Sequence, residues 1–227
     1  MQIFIIMNYI DFHSHVLPGA DHGSDSVETS LVQLKMAEAA GVGTIVATPH
    51  FYPHKHSVDG FLKRREVSYR NIADKYHGKI NIILGAEVLL CDNINKLPFL
   101  EKLCISGTKT ILIELPFTSF KQSYVDMVEA LINDGYRVVL AHPERYEARD
   151  IESMISVGAV LQLNSTAFGK IFINKYVGSW LDRDLVYALG SDIHLLKKKY
   201  YKSFARAVKR IRSIDSIMKK SKTLISG

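Results

Sequence analysis

The chain has 227 residues, of which 47% are hydrophobic and 23% charged, and its formal net charge is +6 at pH 7. That length supports a sizeable core, and the balance excludes intrinsic disorder and collagen-like repeats. A basic excess leaves nucleic acid, an anionic membrane surface or an acidic protein as partner classes, to be decided by where the charge sits.

Residues 1–10 are apolar but carry no basic n-region and no small-residue cleavage site, so they read as the start of a strand and not as a signal peptide. No apolar run reaches bilayer length. Cys91 and Cys104 are too few for a disulfide framework and read as free thiols of a reducing, cytoplasmic compartment.

In chain order, a strand is predicted over residues 3–12. A helix follows over 26–40, with Val27, Leu31, Leu34 and Ala37 as its apolar stripe. Further strands are predicted over 43–48, 80–86, 109–115, 137–141, 159–163 and 185–190. Helices are predicted over 58–76, 122–134, 149–157, 176–184 and 201–218. Gly41, Gly135 and Gly158 read as helix stops. Residues 88–108 read as an irregular excursion. No linker or repeat interrupts the pattern, so residues 1–227 are read as one domain. Strands alternating with helices give an α/β fold, and near-continuous apolar strands suit a parallel sheet covered on both faces.

Six of the seven strand ends carry possible metal ligands: His13 and His15, then His50, Glu87, Glu114, His142, and finally Asp192 with His194. One such residue alone is more often a satisfied polar group. The whole set is different, because a barrel gathers these ends on one face, where barrel active sites lie. Convergence therefore favours a closed or nearly closed barrel. Alternate strand residues point the same way, so His13 and His15 can share an ion. Glu114, between Ile113 and Leu115, is costly to bury unless paired or metal-bound. Eight ligands exceed the four that one zinc takes, so they imply a divalent cluster of two or three ions. Imidazole mixed with carboxylate suits zinc, manganese or iron. Neither cysteine starts a Cys-x5-Arg loop, since Leu97 and Thr110 stand at the arginine positions, which argues against a cysteinyl-phosphate route. His54 and His56 read as loop residues at the mouth of the site, and Phe51, Tyr52 and Phe117 as aromatics able to pack on a ring.

Six motifs occur in order: Asp11-Phe12-His13-Ser14-His15, Ala47-Thr48-Pro49-His50, Gly85-Ala86-Glu87, Leu112-Ile113-Glu114-Leu115-Pro116-Phe117, Ala141-His142-Pro143-Glu144-Arg145-Tyr146 and Gly190-Ser191-Asp192-Ile193-His194. In these the chain resembles the PHP (polymerase and histidinol phosphatase) superfamily. Within it, the chain is most similar to the metal-dependent bacterial protein-tyrosine phosphatases of capsule and exopolysaccharide operons. The resemblance implies a distorted (β/α)7 TIM-like barrel and a trinuclear, often manganese-preferring site. It implies hydrolysis of phosphotyrosine on the tail of a membrane-associated polysaccharide-export kinase. Carried over, His13, His15, Glu87 and Asp192 hold one ion. Glu87, Glu114 and His142 hold a second, with Glu87 bridging. His50, His194 and the residue at position 22 hold the third. Arg145 matches the family's phosphate-contacting arginine and, with His142 and Asp192, forms the candidate catalytic set. The family usually has a second Asp where this chain has His22, after Asp21. An imidazole there keeps ligand capacity but removes a negative charge; Asp21 is the weaker ligand candidate.

Two alternatives stand beside this reading. One is a PHP phosphoesterase acting on a small monoester such as histidinol phosphate. The other is a non-catalytic basic binding module, against which the complete ligand set speaks. No nucleic-acid motif is present, so no nucleic-acid partner is expected. The charge resolves by region. Residues 197–222 hold 11 Lys and Arg and one acid, while the rest of the chain is net acidic. This basic C-terminal helix, about 197–222, suits an acidic phosphorylated tail or peripheral contact with an anionic membrane face. The pattern leaves an oligomer open.

Overall fold

The structure is a computed structural model and describes residues 9–169, 173–197 and 199–226. The first part of the strand expected over 3–12, and Lys198 of the lysine run, lie outside the described residues.

Among the described residues nine strands are formed: β1 (Tyr9–Ser14), β2 (Val42–Ala47), β3 (His50–Phe51), β4 (Asn81–Leu84), β5 (Glu87–Leu89), β6 (Thr110–Glu114), β7 (Arg137–Ala141), β8 (Val160–Asn164) and β9 (Val186–Gly190). All pairings are parallel, in two ladders ordered β1-β2-β4 and β3-β5-β6-β7-β8-β9. β3 and β5 continue β2 and β4 past short interruptions at Thr48-Pro49 and Gly85-Ala86. Proline has no N–H to give a ladder, but the Pro49 carbonyl accepts from the Glu87 N–H at 3.1 Å and Ala47 from Gly85 at 2.8 Å. The seven expected strands are thus the staves of a ring, two of them bent. β9 lies against β1 at the last seam. There the contact is the Asp192 N–H donating to the His13 carbonyl at 2.8 Å.

Among the described residues seven helices cover the staves: α1 (Val27–Ala39), α2 (Val58–Ala73), α3 (Gln122–Asn133), α4 (Ala148–Ser156), α5 (Lys175–Asp182), α6 (Lys199–Arg210) and α7 (Ile214–Ile225). Ser26 caps α1 by accepting from the Thr29 N–H, and Ser57 caps α2 from Gly60. The three stop glycines follow α1, α3 and α4 at φ +83°, +84° and +103°, a region open to glycine. Val46, Leu112, Val139 and Leu161 fill the strand layer, and Leu34, Ile72, Val128, Ile151 and Phe204 seal the helices onto it.

Three sequence expectations need correction. In α1 only Leu34 and Ala37 of the expected stripe are buried; Ser30 and Gln33 are buried as well. Those two polar side chains tie loops that carry the site: Ser30 bonds Ser24 at 2.8 Å and Gln33 donates to the Leu195 carbonyl at 3.0 Å. The basic C-terminal helix is two helices, α6 and α7, parted at residues 211–213, where Ile211 turns into the core. The excursion over 88–108 holds β5 and two 3-10 turns, at Ile94–Lys96 and Leu100–Leu103, which bury Ile94, Leu100 and Leu103. Among the described residues, no helix is long and apolar enough to cross a membrane.

Candidate metal centre

Parallel staves send all their C-terminal ends to one face, and the imidazoles and carboxylates singled out in the sequence meet there. Glu87, on β5, is their hub. Its Oε2 lies 3.2 Å from His13 Nε2, 3.3 Å from His15 Nε2 and 2.9 Å from His50 Nδ1. Its Oε1 lies 2.8 Å from His142 Nε2, which is also 3.6 Å from Glu114 Oε1. Asp192 Oδ1 lies 3.3 Å from His15 Nε2 and 3.4 Å from His194 Nδ1. Three overlapping groups have ligand atoms close enough for one ion each: His13-His15-Glu87, His50-Glu87-Glu114 and His15-His50-His194.

These groups follow the partition implied by the resemblance in outline and differ in detail. His50 also reaches the Glu87-Glu114 side, and His15 stands where position 22 was expected. His22, His142 and Asp192 lie outside the three groups, though His142 contacts Glu87 at 2.8 Å and Asp192 contacts His15 at 3.3 Å. The exposed ring of His22 stacks on His50, with centroids 4.8 Å apart and planes 8° apart.

The donor chemistry fits a cation cluster. His13 Nε2 and His15 Nε2 face each other at 3.0 Å. Glu87 Oε2, His50 Nδ1 and His194 Nε2 are buried and make no well-aligned hydrogen bond, although Oε2 and His50 Nδ1 approach to 2.9 Å. Such convergence of unpaired acceptors is costly without positive charge between them. Burial works against ionising Glu87, yet His13 and His50 hold its carboxyl well below the usual range. Burial, then the charge of Glu87, pushes Glu114 up to about 8. Two adjacent carboxylates that cannot both ionise alone can both serve a divalent cation, which displaces protons from its ligands.

Three side chains hold these candidate ligands in place: Gln162 and Asn164, which sequence reasoning passed over, and Asp21, expected only as a weaker ligand candidate. Gln162 Oε1 accepts from His13 Nδ1 at 2.7 Å, Gln162 Nε2 donates to Asn164 Oδ1 at 3.0 Å, and Asn164 Nδ2 donates to Asp192 Oδ2 at 2.9 Å. Gln162 and Asn164 lie on β8, the stave without a ligand. Asp21 Oδ2 accepts from His15 Nδ1 at 2.7 Å and from the His50 N–H at 2.8 Å, while Oδ1 accepts from the Gly23 N–H at 2.8 Å. Burial opposes its charge, but His15 holds the Asp21 carboxyl well below the usual range. Its place behind the ligands could be read from chain position only in part, since it follows β1 by a short loop. Gln162 and Asn164 carry an alternation signal alone: two polar side chains on one face of a buried strand.

Backbone conformation serves the same end. His142 and Asp192 adopt φ +36° and +50°, a region non-glycine residues rarely enter, as do Asn93, Phe99, Asp184 and Leu195 elsewhere in the chain. Gly190 lets β8 and β1 close in: a Cβ there would stand 2.5 Å from His13 Cβ and 2.6 Å from Gln162 Nε2. Arg145, on the 3-10 turn after β7, pairs with Asp192 Oδ2 at the edge of the cluster. Its side chain is 40% exposed, so it can still turn a donor toward a ligand. The loop aromatics lie on either side. Tyr52 stacks on His50 at 5.1 Å, with Lys55 above its ring, and Phe117 stacks on Tyr146 at 5.3 Å. His54 and His56 flank Tyr52 at 6.0 Å, away from the ligand groups.

Comparison with known proteins accords with this site. The family described as capsular polysaccharide synthesis, CpsB/CapC, matches residues 9–219. The chain is similar to the tyrosine-protein phosphatase CpsB of Streptococcus pneumoniae, 31% identical over 84% of each chain. It is also similar to the tyrosine-protein phosphatase YwqE of Bacillus subtilis, 28% identical over 85% of this chain and 80% of that one. In fold it resembles a crystal structure from work on YwqE and CpsB, described as unique metal-dependent tyrosine phosphatases. The TM-score is 0.77 at 22% identity, covering 95% and 94% of the two chains. It also resembles histidinol phosphate phosphatase of Lactococcus lactis, with TM-score 0.55 at 14% identity over 96% and 92%. With the family matched along nearly its whole length, the chain belongs to the CpsB/CapC family of capsular polysaccharide synthesis.

Proposed function

We propose that this chain is a metal-dependent protein-tyrosine phosphatase. Its substrate is the phosphotyrosine tail of a membrane-associated polysaccharide-export kinase, met in the cytoplasm. The observation that carries the reading is the set of three ligand groups sharing Glu87, His15 and His50 beside an arginine. The relatives named as tyrosine-protein phosphatases support the substrate class.

His13, His15, His50, Glu87, Glu114, His142, Asp192 and His194 are the residues that would hold two or three divalent ions, manganese foremost; His22 caps the cluster over His50. Such ions, when bound, neutralise phosphoryl charge and supply a nucleophile at neutral pH. Arg145 offers its planar fork to two oxygens of the phosphate. Asp192 holds that guanidinium at the cluster's edge, and Asn164 fixes Asp192 in turn. His142 holds Glu87 in position through its Nε2 contact. The basic face of α6 and α7, with exposed Lys202, Arg206, Lys209 and Lys219, suits an acidic tail or an anionic membrane face. The whole forms one PHP-type domain.

The test is hydrolysis of p-nitrophenyl phosphate and a phosphotyrosyl peptide with manganese, with histidinol phosphate as competitor substrate. His142→Ala and Glu87→Ala should each lose about 100-fold or more. Full activity in either variant overturns the reading.

A further inference from the structure

Beside Arg145 the surface opens into a cavity of about 220 Å³, walled by Phe117, Phe120, Tyr146 and Arg145, with Glu147 and Asp150 also on its lining. Three rings step outward from the metal centre toward it. His142 stacks on Tyr146 at 5.9 Å and 27°, and Tyr146 stacks on Phe117 at 5.3 Å and 20°. The Tyr146 hydroxyl donates to the Leu115 carbonyl at 2.7 Å, which locks its ring. Phe117, at the outer end, is 68% exposed, the largest exposure among the large apolar side chains described. A phenyl ring held in water on a locked aromatic wall has one face to offer.

The other aromatic side of the site lacks such a face. Tyr52 already stacks on His50, and Lys55 lies over its ring at 5.3 Å. The exposed Phe117 face and the cavity lie together on the Arg145 side.

We propose that Phe117 and Tyr146 form an aryl-binding subsite that holds the aromatic ring of an aryl phosphate while Arg145 and the metal centre take its phosphate. Phe117 is then the specificity-determining residue that separates aryl from alkyl monoesters. The occupant follows from the lining: a guanidinium beside a stacked aromatic wall fits a ring bearing an anion. The inference rests on the phosphatase reading for its reaction but not for its binding.

The experiment measures binding of two non-hydrolysable probes, phenylphosphonate and methylphosphonate, to the manganese-loaded full chain by calorimetry. It is paired with turnover of phosphotyrosine and metal content. The wild type should prefer the phenyl probe, and Phe117→Ala should cut that preference about 5-fold at unchanged metal content. Phe117→Tyr should keep it. Equal affinity for both probes in the wild type, or a preference that survives Phe117→Ala, overturns the subsite. A wild type that binds phenylphosphonate preferentially but does not hydrolyse phosphotyrosine supports the subsite and overturns the phosphatase reading instead.

Discussion

Gln162 Oε1 accepts a hydrogen bond from His13 Nδ1 at 2.7 Å, across the barrel interior from β8 to β1. The bond puts the proton on Nδ1 and turns the Nε2 lone pair toward Glu87 and His15. Gln162→Ala should therefore lower metal affinity about 10- to 100-fold. Gln162→Glu, which keeps the acceptor, should lose less. Metal titration followed by calorimetry distinguishes the two.

Asp21 serves two ligands at once, through His15 Nδ1 and the backbone N–H of His50. Asp21→Ala should release both and cost about 1–3 kcal/mol of stability. Denaturant unfolding reads the stability, and metal content after dialysis should fall in step. An unchanged midpoint with unchanged metal content would show that Asp21 positions neither ligand.

At Gly190, a single methyl group meets His13 Cβ and Gln162 Nε2 well inside contact distance. Gly190→Ala should cost about 1–3 kcal/mol by overpacking. It should also weaken metal binding, because the atoms that must move belong to a ligand and to the side chain that orients it. Combined with Gln162→Ala, the two losses should be less than additive, as expected of neighbours.

Chelation tests the centre as a whole. Treating the loaded protein with EDTA should abolish phosphatase activity and lower the Tm, and added manganese should restore both. Activity that survives complete removal of metal would exclude the ligand cluster from the chemistry.

The two thiols give a check on the outer fold. Burial, then the nearby Glu101, pushes Cys104 up to about 12, and burial, then Asp92, raises Cys91. A raised thiol pKa leaves little thiolate near neutrality, so both should alkylate slowly at pH 7.5. Cys91 is half-buried and Cys104 buried, so iodoacetamide should label Cys91 first and Cys104 only on unfolding. Peptide mapping by mass spectrometry decides it. Early labelling of Cys104 would place the turn at Leu100–Leu103 out of the core.

The ligands were legible because their chemistry is rare in apolar strands. Glu114 between Ile113 and Leu115, and His13 two residues from His15, announce themselves by cost and by period. The supporting layer was not, because Gln162 and Asn164 are cheap to explain on any strand and only the fold reveals what they face. The phase of α1 misled for a related reason. Its buried Gln33 donates to Leu195, far away in sequence, and Ser30 bonds Ser24 in the loop before the helix, so hydrophobicity alone turned the helix toward Val27 and Leu31. The break between α6 and α7 was hidden because Ile211 and Ile214 continue the helical spacing of apolar residues through it.

The β9–β1 seam has a thermodynamic consequence. Where the other staves are stitched by ladders, this one is joined by the Asp192 N–H to the His13 carbonyl and by the Ser191 N–H to Asp11 at 2.7 Å, with Tyr201 of α6 bracing Asp11 at 2.9 Å. Two of those residues, His13 and Asp192, converge on the same cation cluster. An ion held by residues on both sides of the seam, such as His15 and His194, would also fasten the two ends of the chain, about 180 residues apart. Metal occupancy and closure of the ring are thus linked equilibria: each shifts the other by the same factor. A cell that starves this protein of its cation loosens the barrel at its clasp as well as idling a catalyst.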